Sequence, residues 1–245
     1  MIAFLGMYDM PYATTATDAL WRNISETLHD APNDLTRGGD AWDIWQNPDL
    51  LLAQTCGLPY RAHLHAKVQL VGTPDYAIEG CPPGFYRSVI VVRKDDPAHA
   101  LCDLEHRNMA YNEGLSQSGW AAPVAHFKQA GLAFETGPAT GGHALSAQSV
   151  AEGHADFAAL DALTWRMLHR QDPALVKQLR VIDKTVPTPG LPYITSHSAD
   201  ADMIARAVQA GIKATAPEDL GLLHLKGLVH IPKSAYLALD IPKLP

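Results

Sequence analysis

YNEGLSQSGW, residues 111–120, compresses a strand ending, a loop and a helix start into ten positions. The run MAYN reads as a strand that ends at Asn112. Ser116, Gln117 and Ser118 then sit on the loop, and a helix begins near Gly119 with Trp120, Val124 and Phe127 on one face. A helix N-terminus leaves several backbone N–H groups unpaired and carries roughly half a positive charge, so an oxyanion can bind there without Lys or Arg. Serine hydroxyls add donors. The same pattern also describes a plain serine N-cap, and the motif by itself fits both.

Two further strand-to-helix junctions lie downstream. ATGGHALSAQSVAEG (139–153) puts Gly141, Gly142 and His143 at a helix start. Glycines let a ligand approach backbone amides, and an imidazole there can donate to an oxyanion or simply begin a helix. DFAALDALTW (156–165) ends an apolar strand at Asp161, a residue able to accept from a ligand hydroxyl or to cap the following helix. Upstream, Ile2–Leu5 is a short buried-strand pattern that delivers Tyr8. A helix follows with Leu20, Trp21, Ile24 and Leu28 at helical spacing and Thr17 or Asp18 as cap. DLLLAQTCGLPY (49–60) repeats the strand pattern, with Gln54, Thr55 and Tyr60 beyond its end. Val68–Val71 and Tyr86–Val92 complete the strand set of the first half.

RKDDPAHALCDLEHR (93–107) is polar and turn-like, and it reads as a passage from one lobe to another. VIDKTVPTPGLPYITS (181–196) is extended and reads as the return, because Pro187, Pro189 and Pro192 disfavour helix. The expected organisation is an α/β fold of two lobes, residues 1–90 with 190–245 and residues 91–189, with crossings near 88–95 and 183–195. A ligand cleft is expected between the lobes, where the ends of α/β strands usually bind.

Composition narrows the function. A 245-residue chain with 47% hydrophobic residues can bury a substantial core. Its net charge of −7 and lack of Lys/Arg runs argue against nucleic acid. No apolar stretch approaches the ~20 residues that span a bilayer. Cys56, Cys81 and Cys102 show no CxxC spacing, and His63 with His65 lack a third ligand, so neither a metal nor another cofactor is expected. GxSxG, HExxH, P-loop and GxGxxG patterns are absent. The N-terminus MIAFLGMYDMPYATT lacks the features of a secretion leader.

YRSVIVVRKDD (86–96), DLEHRNMAYNEGLSQSGWAAP (103–123), GGHALSAQSVAEGHADFAALD (141–161), LRVIDKTVPTPGLPYIT (179–195) and GLVHIPKSAYLAL (227–239) run in the order of a known family. The chain resembles the phosphate/phosphite/phosphonate substrate-binding proteins of ABC transporters, which have the type II periplasmic binding protein fold. The resemblance places Ser116, Gln117 and Ser118 on the anion loop, His143 on the histidine of a G-S-H segment and Asp161 close to an acidic ligand residue. Tyr8 and Tyr60 fall near positions lining the first lobe. Asn112-Glu113-Gly114 stands where the family has Asp-Pro, Gln117 where it has a small hydroxyl residue, and Gly142 where it has serine.

The resemblance implies a non-catalytic receptor for a small phosphorus oxyanion or organic phosphonate, with an ABC permease as partner. The alternative is a cytoplasmic enzyme or ligand sensor on the same fold, since fold does not fix function. The receptor would be periplasmic if a leader has been removed, and cytoplasmic if the chain is complete as written.

Overall fold

The two outermost facts of the fold are both strand patterns. Val89 and Val91 pack into one cluster with Ala158 and Leu160, while Ile90 and Val92 pack into another with Phe157 and Ala159. Both runs are apolar without interruption because their sheet is covered on both faces, so each side of the alternation needs an apolar residue. The structure, a computed structural model, describes residues 1–245.

Twelve strands occur in chain order: β1 (Ile2–Phe4), β2 (Leu50–Gln54), β3 (Val68–Asp75), β4 (Phe85–Tyr86), β5 (Ser88–Arg93), β6 (Asn108–Tyr111), β7 (Glu135–Ala139), β8 (Phe157–Asp161), β9 (Leu179–Lys184), β10 (Thr188–Pro189), β11 (Tyr193–Ser196) and β12 (Gly227–Val229). They form two five-stranded sheets, ordered β1-β2-β11-β3-β12 and β7-β6-β8-β5-β9. The short strands β4 and β10 make a separate pair.

The chain divides into two compact units, Met1–Phe85 with Pro189–Leu239 and Tyr86–Thr188 with Asp240–Pro245. The polar stretch 93–107, expected as a passage between lobes, lies wholly within the second unit. One of its charge pairs is held there: Arg107 Nη1 donates to both carboxylate oxygens of the buried Asp96, at 3.0 and 2.9 Å. Arg180 also donates to the Asp96 and Ala98 carbonyls. The division falls at the β4 and β10 segments, and residues 240–245 group with the second unit, whereas the sequence reading put them with the first.

In the first unit β1 and β2 are parallel, while β11 runs antiparallel to both β2 and β3. Helices Thr14–Ser25 and Ala201–Ala214 contribute Leu20, Trp21, Ile24, Ile204, Val208 and Ile212 to one core cluster. Trp45, Tyr60, Leu64, Ile194 and Tyr236 form the other. Each such side chain, once buried, contributes on the order of 1.5–3 kcal/mol. The first helix starts earlier than its expected caps imply: Ala13 is the N-cap, and Thr17 lies inside the helix with its hydroxyl donating to the Ala13 carbonyl at 3.2 Å. Leu28 lies beyond the helix end yet remains buried.

The two helices of the first cluster meet at Gly211. A Cβ at that position would lie 2.4 Å from Ile24 Cγ1 and 2.8 Å from the Ile24 backbone nitrogen. Alanine would gain about 1 kcal/mol of helix propensity, but no rotamer relieves a clash with backbone, and overpacking costs ~1–3 kcal/mol. Gly211→Ala is therefore expected to lower the unfolding midpoint, with a net loss on the order of 1 kcal/mol. A denaturant titration showing equal or greater stability would mean the helices separate freely at this crossing.

Candidate functional site

β6 lies between β7 and β8 and is parallel to both. All three strands therefore end at the same edge of the sheet, and each hands over to a helix start there. Parallel α/β strands commonly bind ligands at this C-terminal edge.

Beyond β6, Ser116 is the N-cap of the turn Gln117–Ala121, which leads into helix Ala122–Gln129. Its Oγ accepts from the Gly119 N–H at 2.9 Å. Its carbonyl accepts from the Trp120 and Ala121 amides at 3.2 and 3.0 Å, which widens the turn. Ser116, Gln117 and Ser118 are all buried. Gln117 Nε2 reaches the Thr188 hydroxyl at 3.5 Å. Asn112 folds over the loop, and a Cβ on residue 119 would lie 1.8 Å from its Oδ1, so only glycine admits this approach. That Oδ1 is buried without a hydrogen-bond partner.

Beyond β7, Thr140 and Gly141 turn the chain into helix His143–Ala151. The Thr140 and Gly141 N–H groups donate to the carbonyls of Tyr111 and Asn112, each at 2.8 Å, which ties this turn to the end of β6. The Thr140 hydroxyl lies 2.7 Å from that of Ser146. His143 Nε2 then comes 2.9 Å from Ser118 Oγ, joining two of the expected site residues. Burial pushes the imidazole down from its usual 6.5 to about 4, against the opposing pull of the Ala159 carbonyl. Nδ1 is itself buried without a hydrogen-bond partner. A neutral ring can accept from the Ser118 hydroxyl or donate to it, according to its tautomer.

Beyond β8, Asp161 caps helix Ala162–Gln171, its Oδ1 accepting from the Leu163 and Thr164 amides at 2.7 and 3.1 Å. Ser88 pairs opposite it on β5, and the Ser88 hydroxyl donates to the Ser118 carbonyl at 2.8 Å. Three helix N-termini thus share one sheet edge with the buried serine hydroxyls of Ser88, Ser116, Ser118 and Ser146 and a neutral imidazole.

The first unit brings together some of its expected residues. Tyr8 packs edge-on against Tyr76 with ring centroids 5.1 Å apart. The buried Gln54 Nε2 donates to the Tyr76 hydroxyl at 3.1 Å and to the Leu191 carbonyl at 3.2 Å. Thr55, the next residue, is fully buried and its Oγ1 has no hydrogen-bond partner. Tyr60 does not join this group: its ring packs against Tyr236 in the Trp45–Leu64 cluster, and burial pushes its phenol up to about 12. Tyr76, which links Tyr8 to Gln54, carries no motif in the sequence, and neither does Ser88. His63 packs edge-on against Trp42. Nowhere do three His, Cys, Asp or Glu side chains gather as a metal site would require.

A family model described as the periplasmic substrate-binding protein of ABC phosphonate transporters matches residues 49–235. The chain belongs to this family. It is a family of ABC-transporter substrate-binding proteins and not of enzymes. Among solved structures, PhnD1 from Prochlorococcus marinus in complex with methylphosphonate has a TM-score of 0.78 at 15% identity, over 96% of this chain and 93% of that one. The binding protein component PA3383 of an ABC phosphonate transporter from Pseudomonas aeruginosa gives 0.68 at 16%, covering 96% and 82%. XAC2383 from Xanthomonas citri, bound to chloride ion, gives 0.68 at 13%, covering 96% and 92%. These similarities establish the two-lobed periplasmic-binding-protein fold. Curated proteins give no match.

His143 supplies a pH test of the family's fold in this chain. Above about pH 6.5 the ring is neutral whether the chain is folded or not, and it adds nothing to the pH dependence. Between 6.5 and about 4 the unfolded chain binds a proton that the folded chain resists, so stability falls as pH falls through this window. Below about 4 both states are protonated and the loss is complete. Unfolding midpoints of His143→Gln should therefore decline less steeply than wild type from pH 6.5 to 4. Parallel curves would show that His143 titrates as an ordinary exposed histidine.

Proposed function

We propose that the chain is the receptor of an ABC uptake system and that the Ser116–Ser118 loop with His143 holds the phosphorus oxyanion of a phosphonate, phosphite or phosphate. The observation that carries this reading is the shared edge of three helix starts, with the Ser118 hydroxyl and His143 Nε2 at 2.9 Å from each other. Helix dipoles and unpaired first-turn amides favour anions there. Hydroxyls donate to an anion without the desolvation cost of an opposing cation. No helix is long and apolar enough to cross a membrane, and the permease would supply the membrane path.

Ser118 is the informative substitution, because Ser116 also caps the turn and its loss would cost about 0.5–2 kcal/mol of stability on its own account. A hydrogen bond to a charged group contributes roughly 1.5–3 kcal/mol, so Ser118→Ala should weaken methylphosphonate or phosphate binding on the order of 10- to 100-fold. Wild type at a hundred times Kd gains about 2.7 kcal/mol of stability by linkage. A thermal shift as large in Ser118→Ala as in wild type would remove the loop from the binding site.

Asp161 belongs to the same reading as a selectivity element. A carboxylate only accepts, so it favours a ligand that brings a proton, such as hydrogen phosphate or a phosphonate monoanion. Sulfate at neutral pH brings none and would set like charges together. Calorimetry should find sulfate rejected by wild type and rejected less by Asp161→Asn, which keeps the capping oxygen. Equal binding of sulfate and phosphate to wild type would leave Asp161 as a cap alone.

A further inference from the structure

The loop carrying Ser116–Ser118 is held at both ends by residues 243–245. At its far end the Trp120 Nε1–H donates to the Lys243 carbonyl at 3.0 Å. At its near end Pro245 and Leu244 pack on Gly114: a Cβ there would lie 2.9 Å from Pro245 Cδ and 3.4 Å from Leu244 Cδ2. These contacts explain why residues 240–245 group with the second unit while the residues before them group with the first.

Burial of its own does not hold this segment. Ile241 and Leu244 are exposed at 58% and 57%, so the segment is not drawn down by a hydrophobic core. Trp120, in contrast, is 5% exposed, and its ring packs on Tyr111 and Phe134 with centroids 5.2 and 5.9 Å away. An indole N–H is a donor only and is costly to leave unpaired when buried. Lys243 supplies the acceptor. Trp120 follows Ser118 by two residues, and its backbone N–H donates to the Ser116 carbonyl, so its position and that of the serines are set together. The asparagine side chain on Gly119 leaves little room for the loop to move inward.

We infer that Lys243–Pro245 form a strap that positions the Ser116–Ser118 loop for anion binding, acting through Trp120 and Gly114. The inference rests on the anion-loop reading given above. The strap residues are positioning residues and do not themselves touch the anion. A fixed loop presents its hydroxyls without an ordering cost at the moment of binding, and a released loop incurs that cost with each ligand.

The test compares wild type with a variant lacking residues 243–245, using methylphosphonate and inorganic phosphate as probes. In the ligand-free protein, amide exchange at Gln117–Ala121 should accelerate in the shortened chain while the β5 and β8 amides keep their protection. Affinity should fall about tenfold or more, and Trp120→Phe, which keeps an aromatic ring, though a smaller one, but loses the N–H, should move both readouts the same way. Gly114→Ala should weaken binding in the full chain by displacing Pro245, yet cost nothing further in the shortened chain, where that space is open. Unchanged loop exchange, unchanged affinity in a chain whose wild type binds, or additive effects of Gly114→Ala and the deletion would each overturn the strap. A wild type that binds neither probe would overturn the anion reading itself, and with it the purpose assigned to the strap.

Discussion

The Tyr111 and Asn112 carbonyls, accepting from the Thr140 and Gly141 N–H groups at 2.8 Å each, set the geometry of the second unit's candidate site. Main-chain bonds of this kind fix two turns in register more firmly than side-chain contacts between loops, since no rotamer freedom remains to be lost. Once the end of β6 and the turn after β7 are joined, His143 can face only the loop that carries Ser118. Asp161 enters at the same level because β8 pairs in register with β6 and with β5, whose Ser88 reaches the Ser118 carbonyl. The candidate site is therefore a property of the parallel sheet edge, and the individual side chains inherit their positions from it.

The first unit supplies a different kind of surface. Tyr8, Tyr76 and Gln54 are linked by a ring contact and a hydrogen bond, and Tyr193 adds a hydroxyl contact to Tyr76. Aromatic rings with polar tips combine apolar area with a few oriented hydrogen bonds, as small-molecule sites generally do. The hydroxyl of Thr55, which follows Gln54, is buried without a hydrogen-bond partner.

The sequence was legible where local pattern and tertiary demand coincide. Val89–Val92 and Phe157–Leu160 read as strands because a sheet buried on both faces needs an apolar residue at every position. SQSG read as a helix start because a serine cap and an anion loop share one signature, and the structure retains the cap with the Gly119 amide on Ser116. Elsewhere the deciding contacts are remote. Residues 93–107 look like a solvated linker, yet Arg107 and Arg180 bring their charges and carbonyls into one unit. Trp120 and Lys243 are 123 positions apart, and no periodicity announces a hydrogen bond across that distance. Tyr60 sat after a strand in the same way as Gln54 and Thr55, but its ring found Tyr236 and the core. Tyr76 gives no signal in the sequence, because a single tyrosine carries no spacing to read.

The strand that organises the second core also shapes the life of the chain before it folds. Val89–Val92 is a short window of strong strand formers without charge or proline, the composition that favours intermolecular β-pairing. Its native partners, β8 and β9, lie beyond residue 156, so during synthesis the window has no strand to pair with until much of the second unit has emerged. Arg87 on one side and Arg93-Lys94 on the other place positive charge at both ends. Flanking charges of this type act as gatekeepers, keeping like chains apart while the window waits. These flanking charges lie outside the finished core, and their place in the sequence matters before that core exists.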